Sequence, residues 1–272
     1  MNEFELIKKY FLRLSKSNKV ESSSTTNFIR SVNLNMQIFE LFGRSFSNQR
    51  VIADRGAEKA MRSLLSDLRP DDAVLGEEYG ASSGSSGLTW VLDPIDGTRG
   101  FITGTPTWGV LIALSDDTGP LFGVIDQPFI GERFIGGFGV SQYKGPLGNT
   151  GLTTRATASL AQSMLYTTFP EVGTERDRLG FKAVADQVQL VRYGMDCYAY
   201  ALLALGQIDL VIEAGLNAYD IQAPIAVIQA AGGIVTDWHG RPAHNGGQAL
   251  AAANAACHAA ALDLLRPFAD PV

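Results

Sequence analysis

Cysteine is scarce in these 272 residues. Cys197 and Cys257 are too few for a disulfide framework and stand far from any Cys/His cluster that could hold zinc. There is no Lys/Arg-rich block, and 22 basic against 28 acidic residues leave a net charge of -6. A protein that lives on nucleic-acid phosphates needs the opposite balance, so no nucleic-acid partner is expected. No uncharged apolar run reaches the ~18 residues of a membrane-spanning helix. The nearest, Ile221 to Thr236, is broken by Gln222, Pro224, Gln229 and Gly232-Gly233, so no membrane partner is expected either. The N-terminus carries Glu3 and Glu5 and no long apolar centre, unlike a secretory signal. A cytoplasmic protein is the expectation. The three histidines, His239, His244 and His258, are scattered without a neighbouring Cys and read as polar groups, not metal ligands.

What the chain does have is material for a core, with 46% apolar and 18% charged residues. Its length corresponds to about two units of ~150 residues, or one large one. Phe4, Ile7, Phe11 and Leu14 follow a helical period, after which residues 15–26 become a Ser/Thr/Asn/Lys stretch; residues 1–27 read as an appended extension. Helices are predicted from Phe28, Val32, Met36 and Phe39 and from Ala57 to Leu68, the latter stopped by Pro70. Thr89–Leu92, Thr107–Leu114, Leu121–Asp126 and Glu132–Gly136 are short β-branched runs, with hairpin chemistry at Asp116-Asp117-Thr118-Gly119. Residues 28–145 therefore read as an α+β half with an antiparallel sheet, and Gly145–Gly151 as a boundary. From 146 to 272, strand-like runs at Met164–Thr168, Gln189–Arg192, Ile208–Ile212 and Gly233–Thr236 alternate with helices at 175–187, 197–205, 221–231 and 255–267. That alternation predicts an α/β half. Trp108, Phe122, Tyr198 and Tyr200 read as core or interface.

The densest chemistry lies in Trp90-Val91-Leu92-Asp93-Pro94-Ile95-Asp96-Gly97-Thr98. A strand delivers Asp93, Pro94 ends its ladder and Asp96-Gly97 turns the chain, so two carboxylates can converge. Held close they repel, and a hard divalent cation between them removes the repulsion. Taken alone, Asp-Pro and Asp-Gly are equally ordinary turn pairs. Gly76-Glu77-Glu78 ends the short apolar run Ala73–Leu75, and Tyr219-Asp220 opens an apolar helix closed by Gly232-Gly233.

In this order, Gly-Glu-Glu, Asp-Pro-Ile-Asp-Gly-Thr and an aromatic-Asp pair before Ala-Gly-Gly, the chain resembles the inositol monophosphatase family of magnesium-dependent phosphatases from roughly residue 28 to 265. The segments Gly123–Pro128 with Gly131-Glu132-Arg133, and Arg192–Tyr200, look most like its bacterial histidinol-phosphatase branch. The resemblance implies a layered αβαβα sandwich of the inositol monophosphatase and fructose-1,6-bisphosphatase type. It also implies a homodimer sensitive to lithium, and two or three Mg²⁺ ions per site. Glu77, Asp93 and the Ile95 carbonyl would hold the first ion; Asp93, Asp96 and Asp220 the second; Glu77 would help with a third. Glu77 and the Thr98 hydroxyl would orient or deprotonate the attacking water, Asp54 would orient Thr98, and Gly97 and Thr98 would cradle the phosphate. No phospho-enzyme is implied.

On the leaving-group side the family positions correspond to Asp196 and Glu213. Two acids suit the cationic alcohol of L-histidinol phosphate better than a neutral polyol. Alternatively, Asp196 caps the helix 197–205 and Glu213 ends a strand. Hydrolysis of myo-inositol monophosphate or another sugar or nucleotide phosphate is the alternative in the same chemistry. A non-catalytic metal-binding homologue is the alternative of another class. Its one support is Val51, which stands where the family shows a Thr and offers no hydroxyl; Arg44 stands roughly where the family has a Lys. A haloacid-dehalogenase phosphatase needs an Asp-x-Asp pair, whereas two residues separate Asp93 from Asp96.

Overall fold

The computed structural model describes residues 50–169 and 171–271. The helices predicted before residue 40, the extension 1–27 and Arg44 lie outside these residues, as does the Val51 side chain.

Helix α1 (Arg50–Leu68) leads into an eight-stranded sheet formed by β1 (Ala73–Gly76), β2 (Gly80–Ser82), β3 (Thr89–Asp96), β4 (Gly109–Asp116), β5 (Gly119–Gln127), β6 (Glu132–Gly137), β7 (Val140–Gly145) and β8 (Gly148–Gly151). In space the order is β2-β1-β3-β4-β5-β6-β7-β8. Every neighbouring pair is antiparallel except β1 and β3, which run parallel with Gly76 opposite Leu92. A short helix, α2 (Thr98–Thr103), follows β3. The hairpin at Asp116–Gly119 forms as predicted. Gly145–Gly151, read from sequence as a boundary, is instead the turn and last strand of this sheet, because its glycines serve a β7–β8 hairpin.

The second sheet has the order β10-β9-β11-β13-β12. Its strands are β9 (Met164–Thr167), β10 (Leu190–Tyr193), β11 (Leu210–Leu216), β12 (Ile234–Thr236) and β13 (Gly247–Ala252), and the helices between them are α3 (Glu175–Ala185), α4 (Cys197–Ala204), α5 (Ala218–Ala230) and α6 (Ala255–Leu265). Strand β13 escaped the sequence pattern because Gly-Gln-Ala-Leu-Ala-Ala has no β-branched residue. It sits between β11 and β12 and is buried on both faces.

Alternation within the strands separates the layers. Trp90, Leu92, Val110, Ile112 and Leu114 face Met61 and Leu65 of α1. Val91, Leu111, Ala113 and Ile125 face the other way, onto α4 and α5, whose far side meets Val211, Ala249 and Ala251 of the second sheet. Leu165, Leu210, Ile212 and Leu250 then pack on Phe181 and Val184 of α3 and Leu262 and Leu265 of α6. Five layers result, α1, sheet, α4 with α5, sheet, α3 with α6, which is the αβαβα sandwich. Strands covered on both faces read as continuous apolar runs. Helix α5 lies so close to the first sheet that a Cβ at Gly123 or Gly136 would strike its backbone at Ala223 or Val227. Among the described residues no helix is long and apolar enough to cross a membrane.

Candidate metal and phosphate site

Parallel pairing of β1 with β3 solves the separation in sequence between Glu77 and Asp93. The Glu77 N–H donates to the Leu92 carbonyl at 3.2 Å, which sets Glu77 beside the C-terminal end of β3. There the β3–β4 register shifts between Asp93 and Asp96. Pro94 has no N–H for a ladder, and Asp93 Oδ1 accepts from the Ile95 N–H at 3.0 Å, so the strand bends and both carboxylates leave on one side.

Two helix N-termini arrive from the layer below. Asp96 Oδ2 accepts from the Cys197 N–H at 2.6 Å, the first residue of α4. Asp220 stands at the third position of α5, and its Oδ2 accepts from the Asn217 N–H at 2.6 Å. The helix therefore opens at Ala218 with Asn217 as its cap, not at Asp220 as the sequence suggested. Pro224, one turn on, has no N–H to offer the Asp220 carbonyl.

One carboxylate oxygen each from Asp93, Asp96 and Asp220 lie within 4.8 Å of one another. Burial, with Asp96, Glu77 and Asp220 adding repulsion, pushes Asp93 well above the ordinary carboxylate range. Burial, then Asp196 and Asp220, pushes Asp96 up to about 8 although the Cys197 N–H opposes it. Asp220 is raised chiefly by burial, and its bonds to Asn217 and Asp93 pull the other way. The charges that act most on Asp93, those of Asp96, Glu77 and Asp220, are all negative. Three hard oxygen donors, Asp93 buried and Asp96 and Asp220 half-buried, with Glu77 in reach of Asp93, fit a divalent cation such as Mg²⁺. Ile95 is buried on the bend beside them.

Helix α2 starts one residue after Gly97, whose φ of 80° is a left-handed conformation that glycine adopts without strain. The Asp196 carboxyl lies against Gly97, where a Cβ would come within 2.9 Å of it. Asp196 itself has a φ of 46° and makes no side-chain cap bond to α4, so the simple capping role does not apply. Burial raises it to about 6, and the Arg99 charge counters part of that rise. Glu213 lies inside β11, not at its end, and is 7% exposed. Its Oε1 accepts from the Thr168 N–H at 2.6 Å and the Thr168 hydroxyl at 2.9 Å. Burial nevertheless lifts it to about 7, with Asp196 contributing. The Asp196 charge acts on both Asp96 and Glu213, so all three share one acidic neighbourhood.

Asp54 is buried on α1, 3% exposed. One turn on, Glu58 is fully buried and holds the Glu77 loop. Its Oε2 accepts from the Glu78 N–H at 2.7 Å and its Oε1 from Arg62 Nε at 2.6 Å, while Gly76 packs so tightly on the carboxylate that no side chain fits. Arg62 also donates to the Gly80 carbonyl, and Arg55 pairs with Glu78 at 3.1 Å. Sequence reasoning missed Glu58, although a carboxylate inside the apolar stripe Ala57, Met61, Leu65 was a visible signal. It also missed Thr168, whose partner Glu213 is 45 residues away. Two of the three histidines take polar roles: His258 Nε2 lies 2.9 Å from the Thr236 hydroxyl, and His239 Nε2 lies 2.8 Å from the Asp270 carbonyl.

The sequence profile of the inositol monophosphatase family matches residues 18–267. Over 205 residues the chain is 44% identical to the chloroplastic bifunctional phosphatase IMPL2 of Arabidopsis thaliana, covering 75% of this chain and 58% of that protein. It is 34% identical over 202 residues to the histidinol-phosphatase of Mycobacterium tuberculosis, covering 73% and 78% of the two chains. An inositol monophosphatase from Zymomonas mobilis superposes with a TM-score of 0.80 at 35% identity, over 87% of this chain and 94% of that one.

Proposed function

Because this chain belongs to the inositol monophosphatase family, we propose that it is a magnesium-dependent phosphomonoesterase whose preferred substrate is L-histidinol phosphate. Asp93, Asp96, Asp220, Glu77 and the Ile95 carbonyl are assigned to the ions. Bound there, magnesium supplies positive charge to the phosphoryl oxygens and acidifies the attacking water. The chain's own groups do the rest. Gly97 and Thr98 open the first turn of α2, where backbone N–H groups have no helical partner and are assigned to phosphate oxygens. The Thr98 hydroxyl, oriented by Asp54, positions the water, and the Glu77 carboxylate accepts its proton.

The observation that carries the substrate choice is the pair Asp196 and Glu213. Both are carboxylates lifted by burial, to about 6 and about 7, Asp196 lying against Gly97 and Glu213 bonded to Thr168. A neutral polyol would add no charge to what Thr168 and Arg99 already offer them, whereas the amine and imidazole of histidinol offset their charge. The likeness to a histidinol-phosphatase supports the same choice.

Phosphate release is to be measured from L-histidinol phosphate, myo-inositol 1-phosphate and a nucleoside monophosphate, each with Mg²⁺ and with chelator. Turnover of histidinol phosphate should dominate and should vanish on chelation. A kcat/KM for inositol 1-phosphate about tenfold above that for histidinol phosphate reverses the substrate assignment. Release from none of the three with Mg²⁺ present removes the enzyme assignment altogether.

A further inference from the structure

Phe169 is a large apolar side chain left 41% exposed, yet the residues just before it are held by hydrogen bonds. Thr168, immediately before it, is fixed to Glu213 through both its N–H and its hydroxyl. The Gly194 N–H bonds the carbonyls of Thr167 and Thr168 at 3.2 and 3.0 Å, tying this turn to the segment that carries Asp196. Opposite stands Arg99, next in sequence to Thr98 and exposed. Its guanidinium carbon lies 4.4 Å from the Phe169 ring centroid, and its charge also acts on Asp196. The contact joins α2 to the turn that follows β9.

A planar cation resting on an aromatic face beside a carboxylate is the contact that an imidazolium-bearing alcohol would also make. Arg99 provides that cation from within the chain. We propose that Phe169 is the specificity-determining platform on which a planar, cation-capable ring of the leaving alcohol stacks, Arg99 holding the face until substrate arrives. Two cations cannot share one ring face. The displaced Arg99, one residue from Thr98, turns to the dianionic phosphate as the ring takes its place. The substrates selected are phosphate monoesters of amino alcohols that carry a flat nitrogen heterocycle. The platform rests on the phosphatase function proposed above, but the two can fail separately.

The test compares wild type, Phe169→Leu and Phe169→Tyr on L-histidinol phosphate and on 2-aminopropyl phosphate, the same amino-alcohol ester without the ring. Phe169→Leu should lower the ratio of kcat/KM between the two esters about tenfold, chiefly through KM for the ring-bearing one. Phe169→Tyr, which keeps the aromatic face, should stay within about threefold of wild type. An unchanged ratio in Phe169→Leu, whether both esters suffer equally or neither does, overturns the platform. Should wild type leave histidinol phosphate intact, the proposed function falls and calorimetric titration with L-histidinol decides the platform without turnover. Tighter binding to wild type than to Phe169→Leu then supports it; equal or absent binding to both overturns it.

Discussion

Asp93 stands at the centre of the site because its neighbours leave it nowhere else to put a negative charge. It is buried and faces Asp96, Asp220 and Glu77. Asp93→Asn keeps the shape and removes the charge that a cation needs, so kcat should fall to below about a hundredth of wild type. Residual turnover well above that level, measured with saturating Mg²⁺, contradicts the assignment. Glu213 makes a prediction of the opposite kind, about affinity. Its pKa of about 7 lies above the ordinary value because burial favours the neutral acid, so the side chain takes up a proton as the pH falls through neutrality. KM for a cationic ester should therefore rise as the pH is lowered from about 8 to about 6, in proportion to that protonation. Glu213→Gln should raise KM at pH 8 and flatten the profile. A wild-type profile already flat across this range removes Glu213 from substrate recognition.

Elements bring these residues together through contacts that no local pattern encodes. Asp93 and Asp96 were legible as a pair because the bend at Pro94 is written in four consecutive residues. That Glu77 joins them depends on β1 lying parallel to β3, and that Asp220 does depends on α5 lying flat against Gly123 and Gly136. Glu58 belongs to this scale, since it fastens α1 to the loop after β1 through the Glu78 N–H. Outer supports of a metal ligand set its position and typically matter by one or two orders of magnitude in metal affinity. Glu58→Gln retains the size but has one acceptor for two donors, so the metal-free thermal midpoint should fall, and half-saturation by Mg²⁺ should in addition need about tenfold more ion. An unchanged Mg²⁺ titration of the melting temperature would falsify the positioning role while leaving the ligands in place.

For the whole molecule, the acidic cluster couples stability to pH and to metal. Asp93, Asp96 and Asp220 all have folded-state pKa values raised above the unfolded range, Asp96 to about 8. An acid raised in this way stabilises the fold while it is protonated, below its unfolded value near 4, and loses that contribution as the pH climbs through the folded value. Chelated protein should therefore melt at progressively lower temperature from about pH 5 to about pH 9. Added Mg²⁺ binds the ionised cluster only in the folded state, so its gain in melting temperature should be larger near pH 8.5 than near pH 5.5, on the order of several degrees. Scanning calorimetry with and without chelator checks both slopes. A metal-free melting temperature that rises with pH means the carboxylates are not crowded as described.

The amino-acid sequence alone determined which carboxylates were candidates for a hard cation and their local spacing, because a strand that ends in Asp-Pro-Ile-Asp-Gly must turn. It also determined the alternation of strands and helices, through apolar periods that each element carries within itself. It could not determine that the stretch Gly247–Ala252 is a strand, that Gly145–Gly151 continues a sheet, or that Glu58 holds Glu77. Those follow from partners far along the chain, whose close packing decides which small or charged residue fits. Only the tertiary structure brought Asp220 within 4.8 Å of Asp93 and Asp96, because that distance is set by how a helix lies on a sheet.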